Sequence, residues 1–190
     1  MPLRTDIDNF VLGEAADGDG HYLFLLDAAR YEFVAVARYL ASRGYIECVN
    51  LVADGYGPTM FLLLMQKARR DGLRGVAPDL EYNSEDAKRM DARFFNEPPP
   101  GVFHRPNPDA HHPEEYLSQL YFLASDLIPE RTARRNAEKH FGRTAVSRWR
   151  LRQLRKRDPL MHDRWHTAAG ILPLLGSYLL RSELPFKKRA

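Results

Sequence analysis

Cysteine is almost missing from this chain, with one residue, Cys48, among 190. An internal disulfide is excluded, and with it the small secreted scaffold that depends on cross-links. No apolar run is long enough to span a bilayer. The most apolar late stretch, Ala168 to Leu180, is interrupted by Gly170, Pro173 and Gly176 and falls short of the roughly 20 residues a spanning helix needs. No membrane partner is expected. The opening Met-Pro-Leu-Arg-Thr-Asp-Ile-Asp has neither the basic start nor the apolar core of a secretory signal, so a cytoplasmic setting is expected. Metal-ligand patterning is equally thin. His162 and His166 share a helical spacing, but no third ligand is tied to them, and no metal is expected. No internal repeat, low-complexity tract or Ser-His-Asp pattern is visible.

What is present is enough for a core. Hydrophobic residues make up 44% and charged residues 28%, a globular balance far from that of disordered chains. The net charge of +3 hides an asymmetry: eleven of the 28 Lys and Arg residues fall between Arg131 and Arg157, where Glu138 is the one acid. The rest of the chain is therefore net acidic. A basic segment of that density points to an acidic partner or a solvated helix.

Periodicity divides the first half into strands and then helices. His21 to Asp27 is a short continuous apolar run and reads as a buried strand after the turn-rich Ala15 to Gly20. Glu32 to Leu40 is β-branched and aromatic, Ser42-Arg43-Gly44 reads as a hairpin turn, and Tyr45 to Ala53 gives a third strand. In that third strand, alternation predicts one face of Ile46, Cys48, Asn50 and Val52 and another of Tyr45, Glu47, Val49 and Leu51. A helix is predicted from Thr59 to Arg70, opened by Pro58 and stopped by Asp71-Gly72, then a short strand from Leu73 to Ala77. Asn83-Ser84-Glu85-Asp86 starts a second helix that buries Ala87, Met90, Phe94 and Phe95.

Six prolines between Pro98 and Pro113 mark an irregular or extended linker over residues 98–113, separating a domain of residues 1–97 from a basic helical extension over 114–190. In the extension, Glu114 to Leu127, Arg131 to Phe141 and Thr144 to Arg157 read as helices. The fold class is α+β, a mainly antiparallel sheet flanked by helices.

The sharpest local signal is Val52-Ala53-Asp54-Gly55-Tyr56-Gly57-Pro58-Thr59, between a predicted strand and a predicted helix. Glycines there allow a sharp turn that gathers N–H groups before a helix N-terminus, where partial positive charge favours phosphate. The same residues also make a tight turn with no ligand. The order of meander, glycine loop, helix, short strand and second helix resembles the GNAT acetyltransferases, whose pyrophosphate loop has the form Gln/Arg-x-x-Gly-x-Gly/Ala. Val52 to Gly57 matches both glycines and departs at the first position. Gly55-Tyr56-Gly57-Pro58, Val76-Ala77-Pro78-Asp79 and Ser84-x-x-Ala87 more narrowly resemble GNAT-like proteins of tailed bacteriophages. The resemblance covers about His21 to Asn96.

That resemblance implies acetyl-CoA as cofactor, held at Val52 and by the backbone N–H groups of Gly55, Tyr56, Gly57 and Thr59, with Asn83 and Ala87 bordering the pantetheine arm. It implies acetyl transfer to a small-molecule or protein amine, and a host-cytoplasmic or virion location. The family often uses a tyrosine of the second helix as acid, where Arg93-Phe94-Phe95-Asn96 offers phenylalanines. Tyr82 and Tyr56 are the substitutes, and Glu47 or Asp54 are candidate bases, directly or through water. Two other readings stand beside the enzyme. One is a non-catalytic GNAT-fold interaction protein, such as a virion component. The other is a nucleic-acid-binding protein: Ala137 to Trp149 resembles a helix-turn-helix segment, with Arg143, Arg148, Arg150, Arg152 and Arg155 meeting nucleic acid or an acidic protein.

Overall fold

The computed structural model of the chain describes residues 3–141, apart from 18–19, 28, 30–31, 42, 54 and 79–84. Among these residues the fold is mixed α+β, an open and mostly antiparallel seven-stranded sheet with three α-helices. The strands are β1 (Phe10–Asp17), β2 (Gly20–Asp27), β3 (Glu32–Leu40), β4 (Ile46–Ala53), β5 (Val76–Ala77), β6 (Val102–Pro106) and β7 (Gln119–Leu123). The helices are α1 (Gly57–Arg70), α2 (Glu85–Asn96) and α3 (Arg131–Phe141). Spatial order is β1-β2-β3-β4-β5-β7-β6, and only the β4–β5 pair is parallel.

The first four strands form a meander, one strand more than the sequence pattern discloses. β1 opposes β2 from Phe10↔Asp27 to Asp17↔Gly20, so four of the six residues in the stretch that reads as turn are strand. The continuous apolar run of β2 has a physical reason. Leu23 and Leu25 enter the core beneath α1, while Tyr22, Phe24 and Leu26 are buried on the opposite face, so neither face calls for polar residues.

β4 does not keep the strict alternation expected of it. The register slips where Arg38 opposes Asn50 but Tyr39 opposes Cys48, leaving Val49 as an extra residue. Before the bulge Ile46 and Cys48 enter the core; after it Leu51 and Ala53 pack against the same core, so the inward parity changes from even to odd.

α1 is buried on nearly every side, from Pro58 to Gln66 and again at Ala68, because it lies between the sheet, α2 and the chain leading to α3. One of its two buried polar side chains, Gln66, acts as a clamp. The Gln66 amide oxygen accepts from the N–H of Leu127 (2.9 Å) and Ile128 (2.7 Å), and its nitrogen donates to the Ile128 carbonyl (3.1 Å) and Glu130 Oε1 (2.7 Å).

The sheet runs through the expected boundary at residue 97. β6 lies inside the proline-rich stretch, and Glu115–Ser118 is a 3-10 turn leading into β7, not the start of the helix expected over Glu114 to Leu127. β7 inserts between β5 and β6, and its fully buried Tyr121 contacts Phe61 of α1 and Phe94 of α2. Gly75 permits that insertion: its φ is +146°, and a Cβ there would stand 2.6 Å from the Tyr121 carbonyl oxygen.

α3 matches the predicted span and is docked on β1. Ala133 is fully buried, and the Asn136 amide donates to the carbonyls of Asp8 (2.8 Å) and Phe10 (2.9 Å). Arg134 pairs with Glu14 (2.8 Å) and Glu130, and Arg70 joins both carboxylates. Burial opposes the Arg134 charge, but Glu130 and Glu14 outweigh it and raise its pKa. The basic segment therefore begins by neutralising acids of its own core. Residues 142–190, with the remaining predicted helices, the helix-turn-helix resemblance beyond Phe141, the histidine pair and Ala168 to Leu180, lie outside the described residues.

Two outcomes are expected. Replacing Gln66 with Leu strands two backbone donors, a carbonyl and one oxygen of the Glu130 carboxylate, and should cost about 3 kcal/mol in urea denaturation; an unchanged midpoint would refute the clamp. Burial, reinforced by Glu14 for Tyr39 and by Asp91 for Tyr121, holds both phenols above their usual 10. The folded state thus keeps protons that the unfolded chain releases. Their contribution is complete below pH 10 and is lost as the pH climbs above it, so the urea midpoint should fall in that range and Tyr39→Phe should flatten part of the slope.

Candidate functional site

β4 has two neighbours at its start and one at its end. Its parallel pairing with β5 covers Ile46↔Val76 and Glu47↔Ala77, with the Ile46 N–H donating to the Gly75 carbonyl at 2.8 Å. From Cys48 to Ala53 it is paired, among the described residues, with β3 alone. The chain then turns through Gly55 (φ +72°) and Tyr56 (φ −114°, ψ 13°) into α1, whose first turn closes with the Met60 N–H on the Tyr56 carbonyl at 2.9 Å. Pro58 occupies the opening turn, no side chain caps the helix, and the first turn carries no acid. The positive end of the helix is left without a carboxylate of its own there.

A cation from the N-terminal segment stands over this loop. The Thr59 hydroxyl is buried and donates to the Arg4 carbonyl at 2.6 Å, which holds the segment across the helix start. The Arg4 guanidinium carbon lies 4.8 Å from the Tyr56 ring centroid. A Cβ built on Gly55 would be 3.8 Å from that carbon and from both Nη atoms, so the guanidinium lies flat against the glycine. Tyr56 in turn meets Phe10 edge-on at 5.3 Å. On the other side, α2 brings the Met90 sulfur within 3.4 Å of a Cβ built on Gly57. The result is a concentration of positive potential, from a helix end and a guanidinium, beside the end of β4, which among the described residues has one neighbour. Such an arrangement suits a phosphate or diphosphate.

The sequence-predicted residues distribute unevenly around it. Gly55, Tyr56, Gly57 and Thr59 form the loop, Val52 lies on β4 opposite Val36, and Ala87 sits half-buried on α2, three residues before Met90. Asp54, Tyr82 and Asn83, and Arg143, Arg148, Arg150, Arg152 and Arg155, lie outside the described residues. Glu47 is half-buried at the opening of β4, where β4 and β5 part, roughly 20 Å along the strand from the loop.

The two phenylalanines of α2, Phe94 and Phe95, are structural. Phe94 is buried edge-on to Phe61 (5.2 Å), and Phe95 lies against His104 (4.7 Å). The Tyr121 hydroxyl lies deeper and donates to the Tyr116 carbonyl at 2.8 Å; burial raises its pKa, so it is no proton donor for a ligand. Tyr56 is committed to Arg4 and Phe10 at the start of α1. Arg4 is the residue that sequence reasoning missed, since nothing in Leu-Arg-Thr signals a contact made more than fifty positions later.

Among the described residues no group of three or more His, Cys, Asp and Glu side chains is placed to hold a metal ion, and no helix is long and apolar enough to cross a membrane. Comparison with protein-family models, curated proteins and solved structures gives no match.

The two glycines should respond differently to alanine. Gly55→Ala forces a side chain into the left-handed region and should cost roughly 1–2 kcal/mol, whereas Gly57→Ala has ordinary φ and a yielding neighbour and should be neutral or stabilise by up to about 1 kcal/mol. Equal losses in chemical denaturation would contradict this description of the loop.

Proposed function

We propose that this protein binds acetyl-CoA at the Gly55–Thr59 loop and transfers the acetyl group to an amine, in the manner of a GNAT-like acetyltransferase. The observation that carries the reading is the Arg4 guanidinium lying over Gly55 and Tyr56 at an α-helix start that has no acid in its first turn. Val52 stands where the resembling family has Gln or Arg, and Arg4 supplies a cation to the same loop from another direction. The element order supports the reading as well: a meander, the glycine loop, α1, the short β5 and then α2.

In this reading the diphosphate rests on the loop amides and Arg4, and the pantetheine arm extends along the one-sided edge of β4 toward the parting of β4 and β5. Amine attack on the thioester carbonyl forms the C–N bond and breaks the C–S bond. The proton leaving the amine passes to Glu47, directly or through water, and the departing thiolate takes a proton from Tyr82 or from solvent. Phe94 and Phe95, packed where the family often has its acid, favour a second reading in which the fold serves as an interaction module such as a virion component.

Thermal unfolding with acetyl-CoA separates the two. A ligand at about 100 times its Kd stabilises by about 2.7 kcal/mol, which should raise the Tm by roughly 5–10 °C. Arg4→Ala should reduce the shift at a given ligand concentration, and Gly57→Trp should abolish it with the unliganded Tm retained. No shift at millimolar acetyl-CoA removes the enzyme and leaves the interaction module.

A further inference from the structure

The opposite end of β4 carries a second concentration of cations, unrelated to the glycine loop. Arg105 of β6 donates to the Arg74 carbonyl (2.8 Å), and Arg74 donates to the Arg43 carbonyl (2.9 Å) in the turn before β4. Each arginine is tied to the backbone of the next, so three exposed side chains form a row. That row crosses from β6 over β7 and β5 to the start of β4, about 14 Å at usual strand spacing.

Aromatic rings are interleaved with the row. Arg74 lies over Tyr45 at 5.3 Å, and Arg105 lies over Phe122 at 5.2 Å. Phe103, directly across from Phe122 on β6, stacks on it at 5.8 Å with the planes 27° apart. Phe103 is 50% exposed, the most exposed large hydrophobic side chain among the described residues. A half-exposed phenylalanine held flat by a neighbouring ring contributes little to the core and presents a π face to whatever approaches.

The acids at hand are Asp109, 3.3 Å from Arg74, and Glu47, whose charge helps raise the Arg43 pKa after the larger contribution of the Tyr45 hydroxyl. The Arg74–Asp109 pair is more than 40% exposed on both sides and yields easily to a stronger anion. Cations in a row beside a rigid ring suit a chain that alternates phosphates with planar bases. An acidic peptide would use the arginines and leave the ring idle. We propose that the Arg43–Arg74–Arg105 row and the Phe103–Phe122 stack form a binding surface for single-stranded nucleic acid, phosphates on the guanidinium groups and a base on Phe103.

The test is fluorescence anisotropy of a labelled oligothymidylate of about ten nucleotides with the full chain, read across a salt series. Phe103→Ala removes an exposed ring and should weaken binding fivefold or more with the salt slope unchanged. Arg43→Gln with Arg105→Gln removes two phosphate contacts and should lower the slope of log K against log salt by about 1.4. Phe103→Leu, which keeps apolar bulk without the ring, should behave as Phe103→Ala. Binding that ignores all of these changes would assign nucleic acid to another part of the chain and overturn the proposal. So would no binding at low salt, or stronger competition from polyglutamate than from unlabelled oligothymidylate.

Discussion

A strand in the middle of a sheet satisfies its backbone on both sides, and among the described residues β4 does so over its first two residues alone. The described pairing with β5 ends at Glu47↔Ala77, while β4 continues along β3 to the glycine loop. The bulge at Val49 increases the local twist and turns Leu51 and Ala53 into the core that Ile46 and Cys48 occupy before it. Everything proposed for a cofactor uses this asymmetry. Had β5 paired along the full length of β4, the loop would open onto a closed sheet.

The asymmetry persists because the elements around it are held firmly. α1 is packed on almost all sides, and Gln66 gives the chain from Leu127 to Glu130 four hydrogen bonds. Glu130 and Glu14 then collect Arg70 and Arg134, which fixes α3 against β1. The exposed pairs of α2, such as Lys88 with Glu85, add little by comparison. The start of α1 is thus a rigid platform, and the N-terminal segment is fastened to it through Thr59.

The two cationic surfaces differ in kind. Arg4 lies at a helix end over Gly55 and Tyr56, a compact arrangement of the kind the proposed diphosphate needs. The Arg43–Arg74–Arg105 row is extended, lies at the other end of β4 and is accompanied by an open aromatic ring. A single basic count for the chain conceals this, because Arg134, in the segment of highest charge density, is spent on Glu14 and Glu130 inside the molecule.

Features governed by neighbours in the chain were legible from residue types alone. β2, β3 and β4 follow from apolar runs and β-branched residues, α1 from Pro58 at its head and Asp71-Gly72 at its tail, α3 from its span, and the glycine loop from Gly55 and Gly57. Pairing across the sheet has no such local signature. Tyr116, Leu117, Leu120 and Tyr121 are spaced as on a helix, yet a 3-10 turn followed by a strand satisfies the same spacing, and burial between β5 and β6 settles the matter in favour of the strand. The short parallel pairing of β4 with β5, the bulge that reverses its inward parity, the clamp at Gln66 and the approach of Arg4 to Gly55 all join residues distant in sequence. Their free energy comes from contacts that exist only once the chain has closed on itself, so the tertiary structure alone decides them.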